Sequence, residues 1–484
     1  MPINNFLLPG AKVTTVYDVA NSCRFNDDDS PHLHKTNSGA GNRDTFTFST
    51  WVKRSTLGTE QRIFSSANTS GTNAYGALQF HPTYDDLIMF HYDGSSNYSY
   101  HRTNRQFKDP SAWLHICIAV DTTQSTASNR VKIYINGSQE TSFRTETTPD
   151  QNTDMQWNTA EKHWVGAGDD DSGGQSRFFD GYLAETVFID GLQLAPTSFG
   201  EFDSDSPNIW KPKNVSGLTF GTNGFYLDYE DSGTLGNDAN GGTDFTSSGL
   251  AATDQATDTP TNNFATLNPL ASLPNTSKST FSEGNCVAVG GSNASYVNGG
   301  STIGVANGKW YVETKLTASS DGDARCITGV TMDVSEISRI NQDAGANNIA
   351  YAWHYGNIAV AGSTSGYTSL TTSAVNDIVG VALDMDNGKV YFSKNGSWIN
   401  SGDPTSGATG TGAAPVAAST TGLRFFFSGS DSNARTMTTA YNFGGCPAFA
   451  ISSGNADANG YGNFEYPPPT GYYSLCTKNL AEYG

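Results

Sequence analysis

Residues 131–137 read Val131-Lys132-Ile133-Tyr134-Ile135-Asn136-Gly137, and residues 389–396 read Lys389-Val390-Tyr391-Phe392-Ser393-Lys394-Asn395-Gly396, preceded by Asp386-Asn387-Gly388. Each is a run of β-branched and aromatic residues closed by Asn-Gly. That dipeptide is the strongest short-range hairpin signal, because both central residues of a type I′ turn need positive φ. The two runs lie in different halves of the chain, each within its own field of short strands. The expectation is two antiparallel β-sandwiches in series, with function carried on their loops and faces.

Composition agrees with an all-β fold. The 484 residues exceed what one core organises, so two or three domains are expected. Glycine is abundant (52), aromatics are many (26 Phe, 22 Tyr, 8 Trp) and only 15% of residues are charged, which suits turns and aromatic sheets better than helices. No amphipathic helical stripe of useful length is present. The formal charge is −20 without any Lys/Arg cluster, which argues against a nucleic-acid partner. Residues 1–9 lack the basic start and apolar stretch of a signal peptide, and no segment approaches a membrane span. Cys23, Cys117, Cys286, Cys326, Cys446 and Cys476 are scattered without CxxC spacing, so buried free thiols are expected.

Along the chain, strand-like alternation runs from about Asn21 to Asp190, clearest at 45–53, 113–121 and 181–189. Ser198 and Glu201 are spaced as a capping box, which predicts one short helix closing the first domain near Ser206. Residues 207–265 are rich in Gly, Asn, Asp, Ser and Thr around an apolar island, Gly224 to Asp228, and read as an ordered strap. A second field runs from Cys286 to about Phe443. It includes Asp377 to Asp384, continuous enough to be buried on both faces. The Pro467-Pro468-Pro469 tail cannot join a central strand at those residues, and its aromatics suggest docking on the body. The expected domains are therefore 1–206, 207–265, 266–446 and 447–484.

Two families are similar to these stretches. Phe46 to Lys53, Trp113 to Ile116, Val131 to Gly137 and Phe179 to Glu185 together resemble the laminin-G, or concanavalin-A-like, jelly-roll domain. Residues 308–314 with Asp377 to Trp398 resemble the SPRY domain. The order of parts (jelly roll, strap, SPRY-like domain and Pro-Pro-Pro-Thr-Gly-Tyr tail) resembles bacteriophage virion-associated proteins. That resemblance implies a fibre, spike or capsid decoration, made in the host cytoplasm and carried on the virion. It also implies other virion proteins as partners, and oligomers, with a trimer favoured.

Enzyme chemistry finds no support in the residues. Jelly-roll glycosidases carry alternating carboxylates on one strand, and neither Glu-x-Asp-x-Glu nor Glu-x-Asp-x-x-Glu occurs here. Asp384 and Asp386 flank the Asn387-Gly388 turn and read as turn-stabilising groups. Nucleophile elbows, Walker loops and zinc-ligand spacings are absent from the sequence. Calcium is the metal best matched, at the loop Asp169-Asp170-Asp171, with Asn26 to Ser30 as a second acidic run.

Sugar recognition needs aromatic faces flanked by polar hydrogen-bonding groups. Two clusters fit, one around Tyr84, Asp86 and Tyr92, the other at Trp353, His354 and Tyr355. Strand packing with the aromatics turned inward is the competing reading of both. The function expected is non-enzymatic adhesion to a host-surface glycan or protein receptor, without membrane insertion. The alternatives are a structural decoration without ligand and, third, a polysaccharide depolymerase.

Overall fold

The computed structural model describes residues 17–67, 74–95, 98–169, 175–271, 279–290, 297–320, 322–332, 348–361, 363–416, 422–430 and 436–484. Among these residues the first half forms two eight-stranded antiparallel sheets. One runs in the order Ser138–Gln139, Val131–Ile135, Leu114–Asp121, Thr45–Arg54, Gly181–Asp190, Ser22–Phe25 and Gln255–Ala256, with Phe225–Leu227 pairing on Gly181–Asp190. The other runs Phe143–Thr147, Tyr98–Gln106, Asp86–Tyr92, Tyr75–Phe80, Gln61–Ala67, Lys162–Val165, His32–Thr36 and Thr246–Ser248. Phe46, Phe48, Phe64, Trp157 and Phe188 stack between them with little or no exposed surface. In the second half, Lys309–Ser319, Ile378–Asp384, Lys389–Lys394 and Met437–Asn442 lead one sheet, and Cys326–Thr331, Asn348–Ala352 and Phe425–Ser430 lead the facing one. Trp310, Val381, Leu383, Phe392, Tyr351 and Phe426 fill a separate core. The fold is all-β, with two antiparallel sandwiches in series.

Both opening signals are hairpins with left-handed turns. Asn136 and Gly137 have φ of 48° and 76°, and Asn395 and Gly396 have 45° and 79°. Each glycine is also covered by an aromatic ring from a later segment. A Cβ at Gly137 would lie 2.5 Å from the Trp210 ring, and one at Gly396 would lie 2.6 Å from Tyr466. Turn geometry and close approach both require glycine there.

Residues 45–54 and 181–190 carry the two-residue alternation, yet nearly every residue in both strands is buried. The outward row Thr47, Ser49, Trp51 and Lys53 lies beneath the chain from Leu192 to Phe264. Thr47 Oγ1 donates to the Leu192 carbonyl at 2.7 Å, and Ser49 meets His115 Nε2 at 2.9 Å. Trp210 Nε1 donates to His115 Nδ1 at 3.1 Å. Val215, Phe220 and Tyr226 cover Cys117, Val187 and Ile189. The helix expected at Ser198–Glu201 does not form. One 3-10 turn, Pro196–Ser198, gives way to the strand Gly200–Phe202, which pairs with Trp210–Pro212. Seating Trp210 against Gly200 and Gly137 gives the extended path more buried surface than a solvated helical turn would have.

Glu185 sits at a β-bulge in this covered sheet with φ of 50°. Tyr226 and Tyr17 donate to its carboxylate at 2.9 Å each. Burial pushes its carboxyl up to about 7, against the hydrogen bonds that oppose the shift. The folded chain therefore holds this proton where the unfolded chain has released it. Wild-type stability contributed by this group falls as pH rises from about 4.5 to about 7, at up to about 1.4 kcal/mol per pH unit. Glu185→Gln lacks this titration. Denaturant midpoints for both proteins near pH 5 and near pH 8 should show the variant gaining relative to wild type at the higher pH. Parallel pH profiles would refute it.

Buried ion pairs tie the halves together. Lys53 Nζ contacts Asp258 Oδ2 at 2.6 Å, Asn263 Oδ1 at 2.8 Å and the Phe264 carbonyl at 2.9 Å, with both charged side chains 1% exposed. Arg24 bridges Asp254 at 3.0 Å and Glu283 at 2.8 Å. Tyr182 donates to the Gly284 carbonyl, and Asn285 donates to that of Ser55. The tail returns along the second sandwich: Tyr473–Ser474 pairs parallel with Trp310–Tyr311, and a short helix, Thr477–Tyr483, follows. That helix gave no sequence signal, because seven residues are too few for a periodic stripe. All six cysteines are buried, and no disulfide joins any two of them.

Candidate functional site

The sheet containing Gln61–Ala67, Tyr75–Phe80, Asp86–Tyr92 and Tyr98–Gln106 turns one face to the core and the other outward. Strand alternation decides which side chains point out. On Tyr98–Gln106 the odd-even pattern is clean: Ser99, His101 and Thr103 are buried, while Tyr98, Tyr100 and Arg102 face outward. Register then assembles the surface. Tyr92 lies opposite both Tyr75 and Tyr98, and Phe90 lies opposite Ala77 and Tyr100. The result is a trough of about 430 Å³ lined by Tyr75, Phe90, Tyr92, Tyr98 and Tyr100, with Glu60, Arg62, Gln79 and Arg177 along one side.

The rings brace one another. Tyr98 and Tyr100 stack with centroids 5.7 Å apart, and Tyr75 meets Phe90 edge-on at 4.9 Å. Arg62 lies over Tyr75 and Phe90 at 5.7 and 5.8 Å. A polar chain fixes the wall: Arg62 Nε donates to Gln79 Oε1 at 3.2 Å, Gln79 Nε2 donates to Glu60 Oε1 at 2.9 Å, and Arg177 pairs with Glu60 at 3.0 Å. Burial, with Tyr100 close by, raises the Tyr98 hydroxyl above the ordinary phenol range, and burial raises that of Tyr100. Both hydroxyls are thus protonated at neutral pH and able to donate.

The tyrosine row continues into charge. Arg102 follows Tyr100 on the same face, and its Nε donates to both oxygens of Asp86 at 2.9 and 3.0 Å. Arg144 Nε lies 3.4 Å from the same carboxylate. Tyr84 carries both guanidinium groups over its ring, Arg144 at 4.4 Å and Arg102 at 5.0 Å.

Residues 27–192 match the family model of the concanavalin A-like lectin/glucanases superfamily. The match spans every strand of the trough and supports the laminin-G/concanavalin-A-like resemblance of the first half. No curated protein matches the chain. Among solved structures, the chain is similar to domains LG4-5 of the mouse laminin α1 chain, at 10% identity over 94% of this chain and 98% of that one, TM-score 0.30. It is also similar to the SPRY domain of human HERC1, at 16% identity over 34% of this chain and 89% of that one, TM-score 0.26. A third is the heptameric SAP-like pentraxin of Limulus polyphemus, at 17% identity over 37% of this chain and 80% of that one, TM-score 0.28.

The residues proposed from sequence part company in this surface. Tyr92 lines the trough, and Tyr84 lies on the same face but with its ring under two arginines. Asp86 has no exposed surface and is sealed by Arg102 and Arg144, so it is an arginine anchor and not a sugar acceptor. Trp353 is likewise a correction. It has no exposed surface, sits in the second core and donates from Nε1 to Thr328 Oγ1 at 3.1 Å, so no ring face is free to stack. Its neighbours do reach solvent: Tyr355 is exposed and bonded by Arg325, and His354 Nδ1 lies 3.3 Å from Asp323. Strand alternation from buried Tyr351 explains why Trp353 turns inward.

Of the calcium candidates, Asp169 closes a two-residue strand, while Asp170 and Asp171 lie outside the described residues. The second acidic run, Asp27–Asp29, is a 3-10 turn in which Asn26 Nδ2 donates to Asp29. Asp384 accepts from Asn387 and pairs with Lys309 at 2.8 Å, and Asp386 accepts from the Gly308 amide, so both are turn groups. Tyr75, Tyr98, Tyr100 and Phe90 went unnoticed in the sequence. The signal was present as i, i+2 spacing at 90/92 and 98/100, but periodicity alone does not say which face of a sheet is open.

Proposed function

We propose that this chain is a non-enzymatic glycan-binding protein whose first sandwich seats a sugar chain in the trough across residues 75–100. One observation carries this reading: four tyrosine rings project from a single open sheet face instead of into a core. Rings in that setting offer apolar area to the C–H faces of pyranoses, and their hydroxyls with Gln79 meet sugar hydroxyls. The superfamily match over 27–192 agrees with a lectin-like role. The trough's acidic wall residue, Glu60, is held by Arg177 and Gln79, which suits anchoring better than proton transfer.

The finer reading is display on a phage particle, where many copies make weak contacts effective. The order of parts along the sequence supports it, and immunogold labelling of purified virions tests it. For the trough itself, affinity electrophoresis against a panel of neutral and acidic polysaccharides should show retardation. Tyr98→Ala and Tyr100→Ala should each weaken the retained glycan about tenfold, in line with loss of one stacked ring. Both positions reach the surface, so the fold should survive. Unchanged affinity in both variants, or no glycan retained, would sink the reading.

A further inference from the structure

The aromatic trough does not end in neutral groups. Arg102 and Arg144 share the single carboxylate of Asp86. Beside them Arg54 and Lys108 share Asp85, at 3.0 and 4.0 Å. Four cations therefore stand on two carboxylates, on a chain whose formal charge is −20. Arg102 Nη2 is buried with no hydrogen-bond partner among the described residues. A buried guanidinium nitrogen left unmatched is costly unless something completes it. Arg144 is 38% exposed at the side chain and approaches Asp86 through Nε at 3.4 Å.

Resting on the trough reading, we propose that this arginine pair receives the carboxylate of an acidic sugar residue, so that the glycan bound is of the uronic-acid class. The placement follows from the strand. Tyr98, Tyr100 and Arg102 occupy successive outward positions, which lie roughly 7 Å apart along one strand. Arg102 stands next in line after the two tyrosines, so a chain stacked on their rings runs toward the guanidinium groups and delivers a ring substituent to them. Tyr84 holds both groups by cation–π contact, which limits the ordering cost on binding. Planar guanidinium groups match a carboxylate in a two-pronged geometry.

The test uses the full chain with alginate, polygalacturonate and hyaluronate, each beside its carboxyl-reduced, neutral counterpart, and with dextran sulfate as a sulfate polyanion. The acidic form of at least one should bind about tenfold or more tightly than its reduced form, as a charge-assisted contact implies. Arg144→Gln should abolish that preference, bringing the acidic form down to the affinity of the reduced glycan. Tyr98→Ala should weaken both forms alike. Equal affinity for acidic and reduced forms overturns the inference, as does a preference that survives Arg144→Gln. Dextran sulfate displacing the carboxylated glycan at lower concentration than the glycan itself also overturns it, because it marks sulfate or bulk polyanion binding. If reduced glycans bind through the tyrosines without acidic preference, this inference alone fails. If nothing in either panel binds, the trough reading fails with it.

Discussion

Lys53→Met is expected to lower the unfolding free energy by about 3–5 kcal/mol, the cost of leaving a buried carboxylate without its cation. Lys53 and Asp258 are each 1% exposed, and the pair sits where the first sandwich meets the strap. Trp113 Nε1 and the Phe264 amide still reach Asp258 in the variant, but neither carries charge. The double variant Lys53→Met/Asp258→Leu should recover part of the loss, since it removes the stranded charge along with its partner. It cannot recover all, because those two donors then lose their acceptor. Denaturant midpoints followed by tryptophan fluorescence measure both effects. A single variant within about 1 kcal/mol of wild type would mean the pair is solvated and the joint is loose.

Trp353→Ala is expected to destabilise the second sandwich by about 3–5 kcal/mol through the cavity it leaves and the hydrogen bond it removes. Glycan retention in the trough should stay unchanged, because Trp353 belongs to the second core and the trough to the first sandwich. The two readings of this residue thus diverge completely: a stacking platform would lose ligand and keep its stability. Thermal unfolding together with affinity electrophoresis of the same preparation separates them.

Much of the architecture was legible in the sequence because its determinants are local. Asn136-Gly137 and Asn395-Gly396 adopt the positive φ values that their residue types favour, and of the run from Asp377 to Asp384 the strand Ile378–Asp384 is buried on both faces, as its continuous apolar character requires. What escaped is non-local. The alternation at 45–53 places polar Ser49 and Lys53 outward, but the strap and the second sandwich cover that face, so these polar residues became buried hydrogen-bonding and ion-pairing groups. The same pattern on residues 98–102 meets no covering segment among the described residues. Nothing in either stretch announces which of the two faces a later segment will reach. Trp353 and Tyr92 both lie in aromatic, polar-flanked clusters, yet one fills a core and the other lines a surface. The Ser198–Glu201 spacing is a sound capping signal that lost to the burial of Trp210, a residue downstream of it.

Hydroxyl-radical footprinting, with and without the tightest-binding glycan of the panel, addresses the trough most directly. Tyr92, Tyr98 and Tyr100 should be protected from oxidation by the glycan, while exposed Tyr355 on the second sandwich keeps its reactivity. Protection at Tyr355 with the three trough tyrosines unaffected would contradict the account and move recognition to the other half of the chain.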